Sequence, residues 1–479
     1  MGDEKEVLSS DRVENEPSTT LTSELGIFHK SWLSIVSLWF GLMSKVCKFV
    51  RNAWDIGVND PRKPMHGVKV GAALSVVSLL YYMRPLYYSV GGNAMWAVLT
   101  VVVVFENNVG ATISKSFNRM MATFLAGALA VGVHWIGCHS GKPFEPIIIR
   151  ASLFLLAVTA TFSRFIPNIK ARFDYGASIF ILTFTVVSVA GYRIDNLFAF
   201  AQQRLLTVAI GASMCILVSM IISPIWAGQD LHFHVTCNLE KLADSLDGCV
   251  VEYFKEDNER NHGESFKRLQ GYKCTLNSKG MEDSLCNFAR WEPAHGCFSF
   301  RHPWKQYLKV GSSMRSCASC IEALVGSCIN SKIKAHESTK EPLGNLCKRL
   351  SSHSSAVLKE LATIIKSMRR SPRLLLLTEE MRIAAQELQH VLKSQPRQPI
   401  PSLSPQKLDF TSTLKNLHLI QVLPLLTVTS LLIEIATRVE RVIDEVDELS
   451  RLANFKPAND EKPHPDLGEQ NIMRTLQLV

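Results

Sequence analysis

Long apolar runs crowd into residues 66–226 of this chain and largely stop after residue 227. About 20 mostly apolar residues suffice to cross a bilayer as a helix, and lipid tolerates few other backbone shapes. The remaining chain has the amphipathic periodicity of soluble helices. The expected fold class is therefore all-α, with a membrane domain and a large helical appendage. Charge agrees with this, since only 20% of the 479 residues are charged and 47% are hydrophobic, against about 25% charged in an ordinary soluble domain. This composition excludes disordered, collagen-like and disulfide-scaffold chains.

Six spans are expected, approximately Val68–Met83, Tyr88–Phe105, Asn118–Ile136, Pro146–Phe162, Tyr175–Tyr192 and Leu197–Trp226. Their short connections favour three helical hairpins. Residues 1–65 form an N-terminal segment, acidic and polar at first. Its apolar stretch within Ser31–Val50 ends in Lys45, Lys48 and Arg51 and reads as an interfacial helix. Residues 66–226 form the six-transmembrane-helix domain, and 227–479 a cytosolic helical domain that contains the tripeptide Trp291-Glu292-Pro293. The apolar stretch His418–Ile433 can be a buried helix of that domain or a seventh span; the buried helix is preferred, because a seventh span would strand the terminus outside.

Charge in the short loops orients the spans. One set of flanks carries Lys45, Lys48, Arg51, Arg62, Lys63, Lys115, Arg119, Arg164, Lys170 and Arg172, and the other only Arg84, Lys142 and Arg193. The richer set is assigned to the cytosol, which places both termini there. The cysteines show no paired framework and lie mostly after residue 227, as suits a reducing compartment. Cys317-x-x-Cys320 with Cys328 lacks the further ligands a zinc site needs, so no metal and no cofactor are expected. There is no phosphate loop, nucleophile elbow or HExxH pattern, and no enzyme is expected.

Residues 66–226 hold eleven Lys/Arg against four Asp/Glu, a net +7 within the membrane-rich third. Such charge is costly in a bilayer and needs a reason. In the third span Lys115, Arg119, Thr123, Gly127, Ala130 and His134 share one helix face; in the sixth, Arg204, Thr207, Gly211, Cys215 and Ser219 do the same. A wet path that attracts anions needs cations to replace hydration, little bulk and few carboxylates. Close packing through small residues, with Lys and Arg snorkelling to headgroups, is the alternative for the same pattern. Arg204, Arg119, Lys115, Lys69 and Arg164 are the candidate anion-binding residues, Arg204 foremost because it lies deepest. The segment around Glu292, His295 and His302 is interrupted by Pro293, Gly296 and Pro303, so it reads as a rigid turn anchored by Trp291 and Trp304 rather than a catalytic site.

Trp291-Glu292-Pro293, continuing as HGCFSFRHPWKQYLKVG from His295 to Gly311, resembles the signature of the plant aluminium-activated malate transporter family. DPRKPMHGVKVG (Asp60–Gly71), NAMWAVLTVVVVFE (Asn93–Glu106), FDYG (Phe173–Gly176) and PIWAGQDLH (Pro224–His232) resemble it in the same order. The resemblance implies an anion channel passing malate, often also nitrate, chloride or sulfate, built as a homodimer with six spans per subunit. It does not carry over aluminium activation, because the external loops offer a hard cation only Glu145 and Asp195. The partners expected are malate and other small anions, the lipid bilayer and a second copy, with no nucleic acid. The plasma membrane is expected over the vacuolar membrane. A coupled organic-acid or aromatic-acid carrier is the alternative; proton coupling would use a titratable group within the membrane, where Glu106 and Asp174 sit at span ends and His134, near the outer end, is the one candidate. A membrane-anchored scaffold is the third reading.

Overall fold

A computed structural model describes residues 21–82, 95–141, 143–191, 193–194, 196–254, 269–330, 337–394 and 409–457. Arg84, Tyr88 and Asp195, together with the proline-rich stretch from Gln395 to Pro405, lie outside the described residues. The chain divides into two compact units, Met1–Gly71 and Ala72–Val479. The described residues form α-helices, with no strand among them.

In the first unit, α1 (Leu21–Asn59) is a single helix of 39 residues, longer than the interfacial stretch expected. Leu38, Trp39, Phe40, Phe49 and Trp54 stand exposed along it. At its end Asp60 accepts a hydrogen bond from the Arg62 backbone N–H at 3.3 Å, capping α2 (Arg62–Tyr82).

The second unit continues with α3 (Met95–Val104), α4 (Val109–His139), α5 (Glu145–Ser163), α6 (Pro167–Ala190) and α7 (Leu197–Ile221). Four described helical stretches are long and apolar enough to cross a membrane: Val109–His139, Glu145–Ser163, Arg172–Ala190 and Leu197–Ile221. The expected count of six is not matched by these. The described part of α3 has ten residues, about 15 Å at 1.5 Å per residue, and α2 carries Arg62, Lys63, His66 and Lys69. α4 begins at Val109 rather than at the Asn118 expected. Helical backbone continues through Val109, Gly110, Ala111 and Thr112 because these residues are small or compact and all are buried. Pro146 and Pro167 sit in the first turns of α5 and α6, where a missing N–H costs nothing.

α4 is the axis of this bundle, packed against α5, α6 and α7, while α3 lies on α7. Small residues permit the close approach. A Cβ on Gly211 would stand 2.7 Å from the Ala97 carbonyl oxygen and 2.9 Å from Thr100 Cβ, so only glycine lets α3 and α7 meet there.

A second helical bundle follows: α8 (Ala227–Tyr253), α9 (Gly271–Leu276), α10 (Lys279–Ala289), α11 (Trp304–Asn330), α12 (Glu337–Ser367), α13 (Arg373–Ser394) and α14 (Asp409–Leu452). Leu239, Leu246, Tyr307, Met314, Ile321, Leu350, Leu358 and Val439 belong to its continuous buried core. Leu425, Val428 and Leu432, within the apolar stretch that could have been a seventh span, pack into that same core on α14.

Candidate functional site

The two cationic faces read from the sequence both turn inward. On α7, Arg204, Thr207, Gly211, Cys215 and Ser219 are all buried. On α4, Arg119, Thr123, Gly127 and Ala130 are buried, with Lys115 and His134 half-buried at either end. Gly127 faces Ala201, where an added Cβ would make ordinary contact at 3.6 Å.

Arg204 is only 3% exposed, and its guanidinium carbon lies 3.8 Å from the centre of the Trp96 ring. The indole face offers a cation favourable electrostatics without neutralising it. Arg204 Nε and Nη1 are buried with no hydrogen-bond acceptor. Arg119, also 3% exposed, donates from Nη1 to the Tyr175 hydroxyl at 3.0 Å and leaves Nε buried and unaccepted. Arg119 and Arg204 lie on α4 and α7, which pack against each other. Two buried cations with three nitrogens lacking an acceptor make a site that favours an incoming anion, since an unmatched buried donor carries its full desolvation cost.

The other sequence-predicted cations differ. Lys115 is ion-paired to Glu106 and lies 5.7 Å from the Tyr175 ring centre. Arg164 grips Asp174 with two hydrogen bonds, Nε to Oδ1 at 2.7 Å and Nη2 to Oδ2 at 3.3 Å. Both are therefore largely neutralised, because each carboxylate reaches its partner across a helix boundary that helical periodicity does not register. Lys69 is buried and belongs to the first unit. Sequence reasoning passed over Trp96 and Tyr175. Trp96 sits inside the quoted segment from Asn93 to Glu106, but nothing in its spacing pairs it with Arg204.

The tripeptide Trp291-Glu292-Pro293 joins the two bundles. The Glu292 carboxylate accepts hydrogen bonds from the first N–H groups of α8, Ala227 at 2.5 Å and Gly228 at 3.0 Å. A carboxylate at a helix N-terminus satisfies orphan donors and complements the dipole. Burial pushes the Glu292 carboxyl up, against the pull of those N–H groups and of His295. Trp291 packs on Phe117 of α4 with ring centres 5.3 Å apart, and the Val109 N–H donates to the Ile225 carbonyl at 2.9 Å. Pro293 is exposed, and its carbonyl contacts His295 Nδ1 at 2.9 Å. Deeper in the turn, burial holds His302 down to about 4 among Phe298, Trp304 and Tyr307.

A family model described as aluminium activated malate transporter matches residues 54–404 and 396–450. The chain belongs to that family. It is 49% identical over 472 residues to aluminum-activated malate transporter 10 of Arabidopsis thaliana, covering 94% of this chain and 95% of the relative. Aluminum-activated malate transporter 2 of the same plant is 42% identical over 424 residues, 88% of this chain and 81% of its own. Aluminum-activated malate transporter 1 of Triticum aestivum is 39% identical over 447 residues, 91% and 93% of the two chains. These relatives are transporters, so the family is one of membrane transport proteins and not of enzymes.

Proposed function

We propose that this chain is an anion channel that conducts malate and smaller inorganic anions such as nitrate, chloride and sulfate. Arg204 and Arg119 attract the permeating anion between α4 and α7. The observation that carries the reading is the buried, unaccepted Nε and Nη1 of Arg204. A carboxylate oxygen is the natural acceptor for a guanidinium, and charge-assisted bonds of this kind are among the strong ones. Malate itself enters the reading through the names of the relatives.

In this reading six helices span the membrane, with both termini cytosolic and two subunits shielding one another's polar faces from lipid. Lys115 and Arg164 stand at the mouth with their charges offset by Glu106 and Asp174. Plasma-membrane residence and weak activation by aluminium belong to the same proposal.

A coupled carrier is the competing mechanism. It gains little support from the described spans, where Glu106 precedes α4 and Asp174 lies near the start of α6. Whole-cell currents in malate, nitrate and chloride gradients separate the two. A channel's reversal potential follows the Nernst potential of the permeant anion. A reversal potential that instead tracks the proton gradient would overturn the channel reading.

A further inference from the structure

At its far end, the α4 face that begins with Lys115 and Arg119 closes on a histidine set beside a cysteine and a glutamate. His134 and Cys138 stand one turn apart on α4, with His134 Nε2 3.6 Å from Cys138 Sγ. Glu145, in the first turn of α5, brings a carboxylate oxygen so that nitrogen, sulfur and oxygen all lie within 4.8 Å of one another. The backbone between the helices sets this up. Gly141 takes φ +93°, a conformation open chiefly to glycine, and its carbonyl accepts from the N–H groups of Phe144 at 3.0 Å and Glu145 at 3.3 Å. Gly137 lets α5 come close, since a Cβ there would already touch Glu145 Cγ at 3.4 Å.

The donor set has a definite chemistry. A zinc–nitrogen bond of about 2.0–2.1 Å and a zinc–sulfur bond of about 2.3 Å at a tetrahedral angle place the two ligand atoms about 3.6 Å apart. That is the spacing of His134 Nε2 and Cys138 Sγ. Nδ1 of His134 is buried, turned towards Gly191, which leaves Nε2 as the nitrogen facing the thiol. Cys138 is exposed and Glu145 half-buried, so an ion has an open approach. Thiolate and carboxylate together would balance a divalent charge.

We propose that His134, Cys138 and Glu145 form a binding site for a divalent transition metal of the zinc class, with a fourth position left for water or an anion. This departs from the expectation, drawn from the cysteine spacings alone, that the chain holds no metal site. The imidazole and thiol select a borderline-soft ion over a hard one, which sets this site apart from any oxygen-rich aluminium site. A bound ion ties α4 to α5 across their turn, at the end of the helix that carries Arg119. Binding weakens on acidification, because the ligands must be deprotonated.

The test uses the full-length chain purified in detergent, titrated with Co²⁺ as the spectroscopic probe and then with Zn²⁺. Tetrahedral ligand-field bands and thiolate-to-cobalt charge transfer are expected, both displaced by Zn²⁺. Cys138→Ser should abolish the charge transfer. Glu145→Gln, which leaves every apolar contact in place, should retain it while weakening Co²⁺ binding by about 10-fold or more. The proposal falls if the parent gives no thiolate charge transfer, or if Cys138→Ser gives it at full strength through other cysteines. Should Cys138→Ser fail to fold, unchanged Co²⁺ affinity in Glu145→Gln overturns it equally.

Discussion

Replacing Arg204 with alanine removes a buried guanidinium whose carbon lies 3.8 Å above Trp96 and whose Nε and Nη1 have no acceptor. An anion about 4 Å from that charge gains roughly 4 kcal/mol at an effective dielectric of about 20. Arg119 remains nearby and retains part of this attraction, so the net loss is taken as about half, or ~2 kcal/mol. At 1.4 kcal/mol per tenfold, that lowers anion occupancy about 30-fold. Malate or nitrate current in whole-cell recordings should therefore fall by about tenfold or more, while surface biotinylation shows near-normal amounts of protein. Arg204→Lys should recover part of the current, because it restores charge but not the planar stack on the indole. Trp96→Leu should cost less than Arg204→Ala, since the charge survives and only a cation–π contact of about 0.5–2 kcal/mol is lost. If Arg204→Ala reaches the surface and conducts like the parent, the α7 face is a packing surface and no anion passes beside it.

Glu106→Gln frees Lys115 from its ion pair, and anion current at matched expression should rise; an unchanged current would show that this mouth lies off the pathway. Gly211→Ala drives a methyl against the Ala97 carbonyl oxygen and Thr100, so the melting temperature should drop for an overpacking cost of about 1–3 kcal/mol. Gly132→Ala, with nothing within 4 Å of the new Cβ, should not lower it and should raise it slightly, since alanine in a helix is favoured over glycine by about 0.5–1 kcal/mol. Glu292→Ala strands the Ala227 and Gly228 N–H groups, costing about 1–3 kcal/mol for each donor left buried, which thermal unfolding of the purified chain would reveal. His302 is held neutral with its pKa lowered to about 4. Its contribution to stability is therefore complete above about pH 6.5 and is lost as pH falls towards 4, by at most ~3 kcal/mol. Parent protein should lose more thermal stability between pH 7 and pH 4.5 than His302→Phe; equal losses would place the acid sensitivity elsewhere.

Hydrophobic run length and helical period are local properties, so the sequence alone determined an all-helical chain and its apolar third. The same periodicity put Arg204, Thr207, Gly211, Cys215 and Ser219 on one face, and the structure buries that whole face. Family membership was legible too, because short rigid segments such as Trp291-Glu292-Pro293 keep their order along the chain. Tertiary structure decided which cations stay unneutralised. Lys115, Arg119, Arg164 and Arg204 look alike as sequence, yet Glu106 and Asp174 neutralise two of them while Tyr175 and Trp96 contact the others without cancelling their charge. The extent of the helices was decided there as well. α4 runs back to Val109, where its first turns are buried and the Val109 N–H bonds to the Ile225 carbonyl. Charge pairing and burial depend on distances between residues remote in sequence, and only the folded chain sets those distances.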